Sequence, residues 1–189
     1  MEIIREPAKI EEKSMSIIEE YLEGCDFSYG EKQVVKRVIH ATGDPAYAGI
    51  MVFSPGAVEK AVELLSRGKN LITDVEMVRV GINKPKLEKL GGKADCFIHH
   101  PEVIKLAGEE KITRAALSVR WAKEKINGNI MVIGNAPTAL FALLDYIKKD
   151  CNICQYVYNV ITIEKGKIDL PPFSQAMYGP ERRQVEKFK

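Results

Sequence analysis

The chain has 189 residues, 46% hydrophobic, 29% charged and 7% aromatic; that size and mix suit one soluble globular domain with a buried core and exclude disordered and collagen-like chains. Lys and Arg number 28 against 26 Asp and Glu, a net charge of +2, too small for a generic nucleic-acid surface, so any basic site must be local. No apolar run reaches the roughly 18 residues that a membrane span needs, and Met1-Glu2-Ile3-Ile4-Arg5-Glu6-Pro7 is too charged for a signal peptide, which makes the cytoplasm the expected location.

Ile10, Ile17, Ile18 and Leu22 recur at helical spacing and predict a helix over residues 8–22, ended by a break from Gly24 to Gly30. A second helix is expected over 31–41, with Val34, Val35, Val38 and Ile39 as its apolar stripe and Thr42-Gly43-Asp44-Pro45 as its stop. Ser54-Pro55 reads as a hydroxyl N-cap followed by proline, the start of a helix that Arg67-Gly68 would end.

Next come short apolar runs alternating with helices. Leu71-Ile72-Thr73 ends in Asp74, and Cys96-Phe97-Ile98 runs into His99-His100-Pro101. A helix is expected over 113–126, a strand over 130–133, a turn at Gly134-Asn135-Ala136-Pro137-Thr138 and a helix over 139–148. Strands separated by helices predict an α/β domain with a mostly parallel sheet and right-handed crossovers. Ligands in such sheets bind at the carboxyl ends of the strands, so Asp74, His99 and the Gly134 turn should share one rim.

Cys25, Cys96, Cys151 and Cys154 include one Cys-x-x-Cys but no second pair and no histidine at zinc-finger spacing, so free thiols are expected. His99-His100 with Glu102 has the look of a metal site, yet adjacent strand residues point to opposite faces and no third ligand follows at helical spacing. No metal is therefore expected.

Arg37 and His40 lie at i, i+3 in the last turn of their helix, where the carbonyl end of the macrodipole favours a cation by about 0.3–1 kcal/mol. A histidine favoured as imidazolium is suited to giving a proton to a substrate, while Arg37 opposes this unless a carboxylate lies between them. A simple C-terminal helix cap fits the same spacing. The strand, tight turn and proline-started helix around Gly134 would point backbone N–H groups at an anion, or form an ordinary connection; the glycine pattern of a phosphate loop is missing. Thr113-Arg114 opens another helix, as cap and solvated cation or as anion contact. Asp74 and Glu76 suit acid–base pairing or the start of the next helix.

Taken in order, Arg37-Val38-Ile39-His40-Ala41-Thr42-Gly43-Asp44, Phe53-Ser54-Pro55, Thr73-Asp74-Val75-Glu76-Met77-Val78, Thr113-Arg114-Ala115-Ala116 and Ile133-Gly134-Asn135-Ala136-Pro137-Thr138-Ala139-Leu140 closely resemble the precorrin-8X methylmutase family of cobalamin biosynthesis. The resemblance implies an isomerase that moves a methyl group from C-11 to C-12 of precorrin-8 or cobalt-precorrin-8 in a formal [1,5]-sigmatropic shift, without an organic cofactor. It implies a three-layer α/β/α, Rossmann-like subunit acting as a homodimer. His40 matches the histidine that hydrogen-bonds to or protonates the macrocycle. Ser14, Arg37, Thr42, Asp74, Met77, Thr113, Arg114, Gly134, Asn135, Ala136 and Thr138 fall at matching substrate-side positions. The corrinoid, edged with carboxylates, gives Arg37, Arg114 and the N–H groups after Gly134 an anion to hold.

The resemblance covers residues 4–147 and gives a methylmutase-like domain over 1–149. Residues 150–189 read as a divergent, partly irregular segment of that domain, lacking the family's Gly-x-Pro-Val-Gly-Phe and Gly-Gly-Ser-rich segments, with a faint echo of its late strand at 160–167. A deletion or a reading-frame change near residue 150 would produce this, and a corrinoid-binding relative without turnover is the alternative function it implies.

Overall fold

Pro7 opens the first helix, α1 (Pro7–Tyr21), where its missing N–H leaves no helical hydrogen bond unmade. Helix α2 (Tyr29–Thr42) begins two residues before the expected start because Ser28 builds a reciprocal cap: the Glu31 N–H donates to Ser28 Oγ at 3.4 Å and the Ser28 N–H donates to Glu31 Oε2 at 2.9 Å. Gly43, in the left-handed region at φ 69°, ends it and donates its N–H to the Ile39 carbonyl at 2.7 Å. A short 3-10 turn over Pro45–Gly49 follows, capped by Asp44.

These elements come from a computed structural model that describes residues 5–149. The described residues group into two compact units divided between Glu59 and Lys60, where the sequence reads as one domain over residues 1–149. In the first unit the expected stripes meet: Ile18 of α1 and Leu22 at its C-terminal cap pack on Val35 and Ile39 of α2, with Met15, Phe27, Tyr47, Met51 and Phe53 around them. Burying each such aliphatic side chain is worth about 1.5–3 kcal/mol, well above the ~0–1 kcal/mol of an exposed ion pair. The ion pairs from Glu19 to Lys32 and Lys36 therefore orient α1 on α2 more than they hold it there.

Helix α3 (Ala57–Ser66) starts later than the Ser54-Pro55 signal predicts. Gly56 has φ 71° and the Ala57 N–H donates to the Ser54 carbonyl at 3.0 Å, so Ser54 and Pro55 form a turn ahead of the helix rather than its cap.

Among the described residues of the second unit, three parallel strands, β1 (Leu71–Thr73), β2 (Ala94–Cys96) and β3 (Ile130–Val132), lie in the order β2-β1-β3, an α/β arrangement as expected. The strand predicted over 96–98 sits two residues earlier. Its register is pinned by Asn70, whose Oδ1 accepts the Lys93 N–H at 2.9 Å, and by the Leu71 N–H donating to the Lys93 carbonyl at 2.8 Å. Phe97 and Ile98 are left to pack on the main core cluster of Ile72, Val119, Ile126, Met131 and Leu143.

The helices of this unit are α4 (Glu76–Gly81), α5 (Lys84–Lys89), α6 (Pro101–Glu110), α7 (Arg114–Trp121), α8 (Lys123–Ile126) and α9 (Pro137–Lys149). The single helix expected over 113–126 is thus two, turning at the buried Ala122 (φ −87°, ψ 6°); no glycine or proline marks that corner. Because the strands are parallel and in register, their carboxyl ends at Thr73, Cys96 and Val132 fall on one rim. Cys151, Cys154 and the divergent segment after Lys149 lie outside the described residues.

Candidate functional site

In the first unit the structure gathers four of the predicted site residues on α1 and α2. His40 is exposed in the last turn of α2, and its Nδ1 lies 2.9 Å from the Ser14 hydroxyl of α1. One turn earlier, Arg37 Nη1 donates to Glu11 Oε1 at 2.6 Å, an ion pair that leaves both side chains substantially exposed. Thr42 turns back into its own helix end, donating to the Val38 carbonyl at 2.9 Å and accepting the Asp44 N–H at 3.3 Å. With Nδ1 occupied by Ser14, Nε2 is the ring atom left to meet a ligand.

Glu11 is the residue that sequence reading passed over. Its signal was present: Glu11 and Ser14 are three apart on α1, the same step as Arg37 and His40 on α2, so one helix face meets the other in two matching contacts. The arginine expected to wait for a substrate carboxylate already holds one of the chain's own, and a bound anion must compete with it.

The second unit organises its site residues around Asp74. This side chain is fully buried at the end of β1 and accepts three backbone N–H groups: Gly134 to Oδ1 at 3.2 Å, and Asn135 and Ala136 to Oδ2 at 3.1 and 2.8 Å. The N–H groups after β3, for which the turn sequence left open an anion or an ordinary connection, all donate to the chain's own Asp74. A substrate carboxylate reaching them would compete with that side chain.

Gly134 is needed for space: a Cβ there would lie 2.5 Å from Val78 Cγ2 of α4. The neighbour of Val78, Met77, is 64% exposed. Thr113 caps α7 by accepting the Ala116 N–H at 3.2 Å and donates its own hydroxyl to Thr138 Oγ1 on α9 at 2.7 Å. Arg114, next to this pair and exposed, has no carboxylate partner among the described residues. An open cleft of about 930 Å³ is lined by both threonines together with Leu117, Trp121, Phe141 and Tyr146.

Cys96, at the end of β2, has its thiol pushed up in pKa, chiefly by burial. His99 is exposed, while the His100 ring stacks on Trp121 with centroids 4.2 Å apart and Trp121 Nε1 donates to Glu102 Oε2 at 2.9 Å. Two members of the His-His-Glu run, His100 and Glu102, are thus drawn into contacts with Trp121.

The family model for precorrin-8X methylmutase matches residues 9–160, most of the chain. The chain belongs to the precorrin-8X methylmutase family. It is 40% identical over 125 residues to the cobalt-precorrin-8 methylmutase of Methanocaldococcus jannaschii, covering 66% of this chain and 56% of that one. To the cobalt-precorrin-8 methylmutase of Priestia megaterium it is 38% identical over 144 residues, covering 76% of this chain and 64% of the relative. The chain thus spans less than two thirds of the length of either relative.

Among solved structures, the precorrin-8X methylmutase of Thermus thermophilus superposes with a TM-score of 0.68 at 37% identity, over 75% of this chain and 69% of the other. The α/β fold above is therefore the fold of the methylmutase family. The matched span includes both the α1–α2 residues around His40 and the Asp74–Gly134 rim. No helix among the described residues is long and apolar enough to cross a membrane.

Proposed function

We propose that this methylmutase-family chain is an isomerase of cobalamin biosynthesis that moves a methyl group from C-11 to C-12 of precorrin-8 or cobalt-precorrin-8, with His40 as the acid. In this reading the bond from C-11 to the methyl carbon breaks as the bond to C-12 forms, and His40 Nε2–H hydrogen-bonds to or protonates the macrocycle as its π electrons rearrange. The supporting observation is the presentation of His40: it is exposed in the last turn of α2, with Nδ1 against Ser14 and Nε2 open.

Carboxylates around the corrinoid edge are the groups for Arg37 and Arg114. Arg114 offers its guanidinium directly, and Arg37 exchanges the Glu11 carboxylate for one of the substrate's. Met77, Thr42, Thr113 and Thr138 supply apolar and hydroxyl surface. Asp74, Gly134, Asn135 and Ala136 shape the rim rather than donate to the ligand, since their donors and acceptor satisfy each other. The same reading takes the working form to be a homodimer, which light scattering on the purified chain tests.

The decisive assay compares the purified chain with His40→Ala on precorrin-8 and on cobalt-precorrin-8, following corrin formation by visible absorption. Wild type is expected to convert one of the two substrates and the variant to lose about 10²–10⁴-fold in rate, the usual contribution of a positioned acid. Equal rates would remove the acid role. An absorption shift on mixing with hydrogenobyrinate, the cobalt-free product of the proposed reaction, with neither substrate converted, would make the chain a corrinoid-binding protein instead.

A further inference from the structure

We infer that Ser14 is a positioning residue that acts through His40, setting which ring nitrogen faces the ligand, rather than a residue whose work is to touch the substrate. The inference rests on the reading of His40 as an acid. Its structural basis is the 2.9 Å contact between Ser14 Oγ and His40 Nδ1, made across two helices whose packing is set by buried residues on either side of it, Ile18 and Leu22 against Val35 and Ile39. Ser14 is half-buried on α1, which sets its hydroxyl within hydrogen-bond reach of the ring.

A hydroxyl suits this task because it is both donor and acceptor. When His40 is an imidazolium, Nδ1–H donates to Ser14 Oγ; once the proton has left Nε2, the same Nδ1–H bond persists in one tautomer, and in the other the hydroxyl rotates and donates to Nδ1. The ring orientation is thus kept through a cycle of proton donation and recovery. A carboxylate at this position would hold the ring equally well but would favour the charged form so strongly that giving up the proton became harder. An alanine would leave the ring free to rotate about its side-chain torsions on an exposed helix end.

Arg37 and Glu11 form their ion pair one helical turn away on the same two helices, and α1 reaches the His40 ring through Ser14.

The test uses the full chain with Ser14→Ala, Ser14→Thr, His40→Ala and the Ser14→Ala/His40→Ala double variant. Misorienting a reacting group costs up to about 10²-fold, so Ser14→Ala is expected to lower kcat by about 10- to 100-fold with KM nearly unchanged. Ser14→Thr, which keeps the hydroxyl, should restore most of the loss, and Ser14→Ala should add nothing in the His40→Ala background. A raised KM at unchanged kcat, or the same loss with and without His40, would show a direct substrate contact and overturn the inference.

A second readout needs no substrate. Ring ¹⁵N spectra, with the His40 signals assigned by their loss in His40→Gln, should show the Nδ1 resonance moving in Ser14→Ala and staying near its wild-type position in Ser14→Thr. A His40 spectrum indifferent to Ser14→Ala would overturn the inference whether or not the chain turns substrate over. Failure of turnover with a normal Ser14 effect on the ring would instead count against the isomerase reading alone.

Discussion

The carboxylate of Asp74, at the end of β1, accepts the backbone N–H of Ala136 at 2.8 Å, tying two parallel strands together at their carboxyl ends. With Gly134 and Asn135 as further donors, one fully buried side chain closes the turn between β3 and α9. The rim of the sheet, where a ligand would be sought in an α/β fold, is fastened at this point by the protein itself.

Replacing Asp74 with Asn keeps the shape but removes the charge and turns an NH₂ group toward backbone donors. Hydrogen bonds to charged groups are worth about 1.5–3 kcal/mol and an unsatisfied buried donor costs about 1–3 kcal/mol, so Asp74→Asn should lose about 2–3 kcal/mol of stability and Asp74→Ala more. Urea unfolding followed by the fluorescence of Trp121, the single tryptophan, measures this. A variant of unchanged stability would show that the N–H groups find another acceptor.

Much of this organisation is legible in the sequence. The apolar stripes of α1 and α2, the short strands ending at Asp74 and in the Gly134 turn, and the resemblance carried by ordered blocks lead to the observed fold class and family. What escaped did so for physical reasons. The strand at Ala94–Cys96 was displaced from its hydrophobic run because backbone and Asn70 hydrogen bonds fix its register, and those depend on residues far apart in the chain. The occupant of the N–H cluster escaped because a turn motif shows that donors exist without saying which acceptor reaches them across 62 positions. Glu11 escaped because surface pairing between helices becomes visible only when their crossing is known.

Gly134 is predicted to fail as alanine for want of room. The added Cβ meets Val78 Cγ2 at 2.5 Å, and overpacking of this kind costs about 1–3 kcal/mol. Gly134→Ala should therefore be destabilised, and it should cost less in the Val78→Ala background than in the wild type. A double-mutant cycle in urea reads the coupling; additive effects would show that the turn needs glycine for its backbone and not for its clearance.

The thiols at Cys25 and Cys96 should differ in reactivity. Cys25 is exposed, whereas Cys96 is partly covered and its pKa is raised by burial, with Glu76 opposing the thiolate as well. The thiolate is the species that alkylates, so iodoacetamide near neutral pH should modify Cys25 well before Cys96, as peptide mass mapping over time would show. Equal rates would mean that the end of β2 opens readily to solvent.

Acid should weaken the α1–α2 pairing in a defined window. Hydrogen bonds from Lys32 and then Lys36 hold the Glu19 carboxyl down at about 2, from an ordinary value of 4.5. A depressed carboxylate pKa means that the unfolded state binds the proton first, so the stabilising contribution is present above about pH 4.5 and is lost as pH falls toward 2. The group is exposed and salt screens it, so the effect should be small and should shrink at high ionic strength. In Glu19→Gln the corresponding part of the acid-induced stability loss should disappear, leaving a flatter dependence over that window. Parallel curves for wild type and Glu19→Gln would show that the two lysines contribute nothing to folding through this carboxylate.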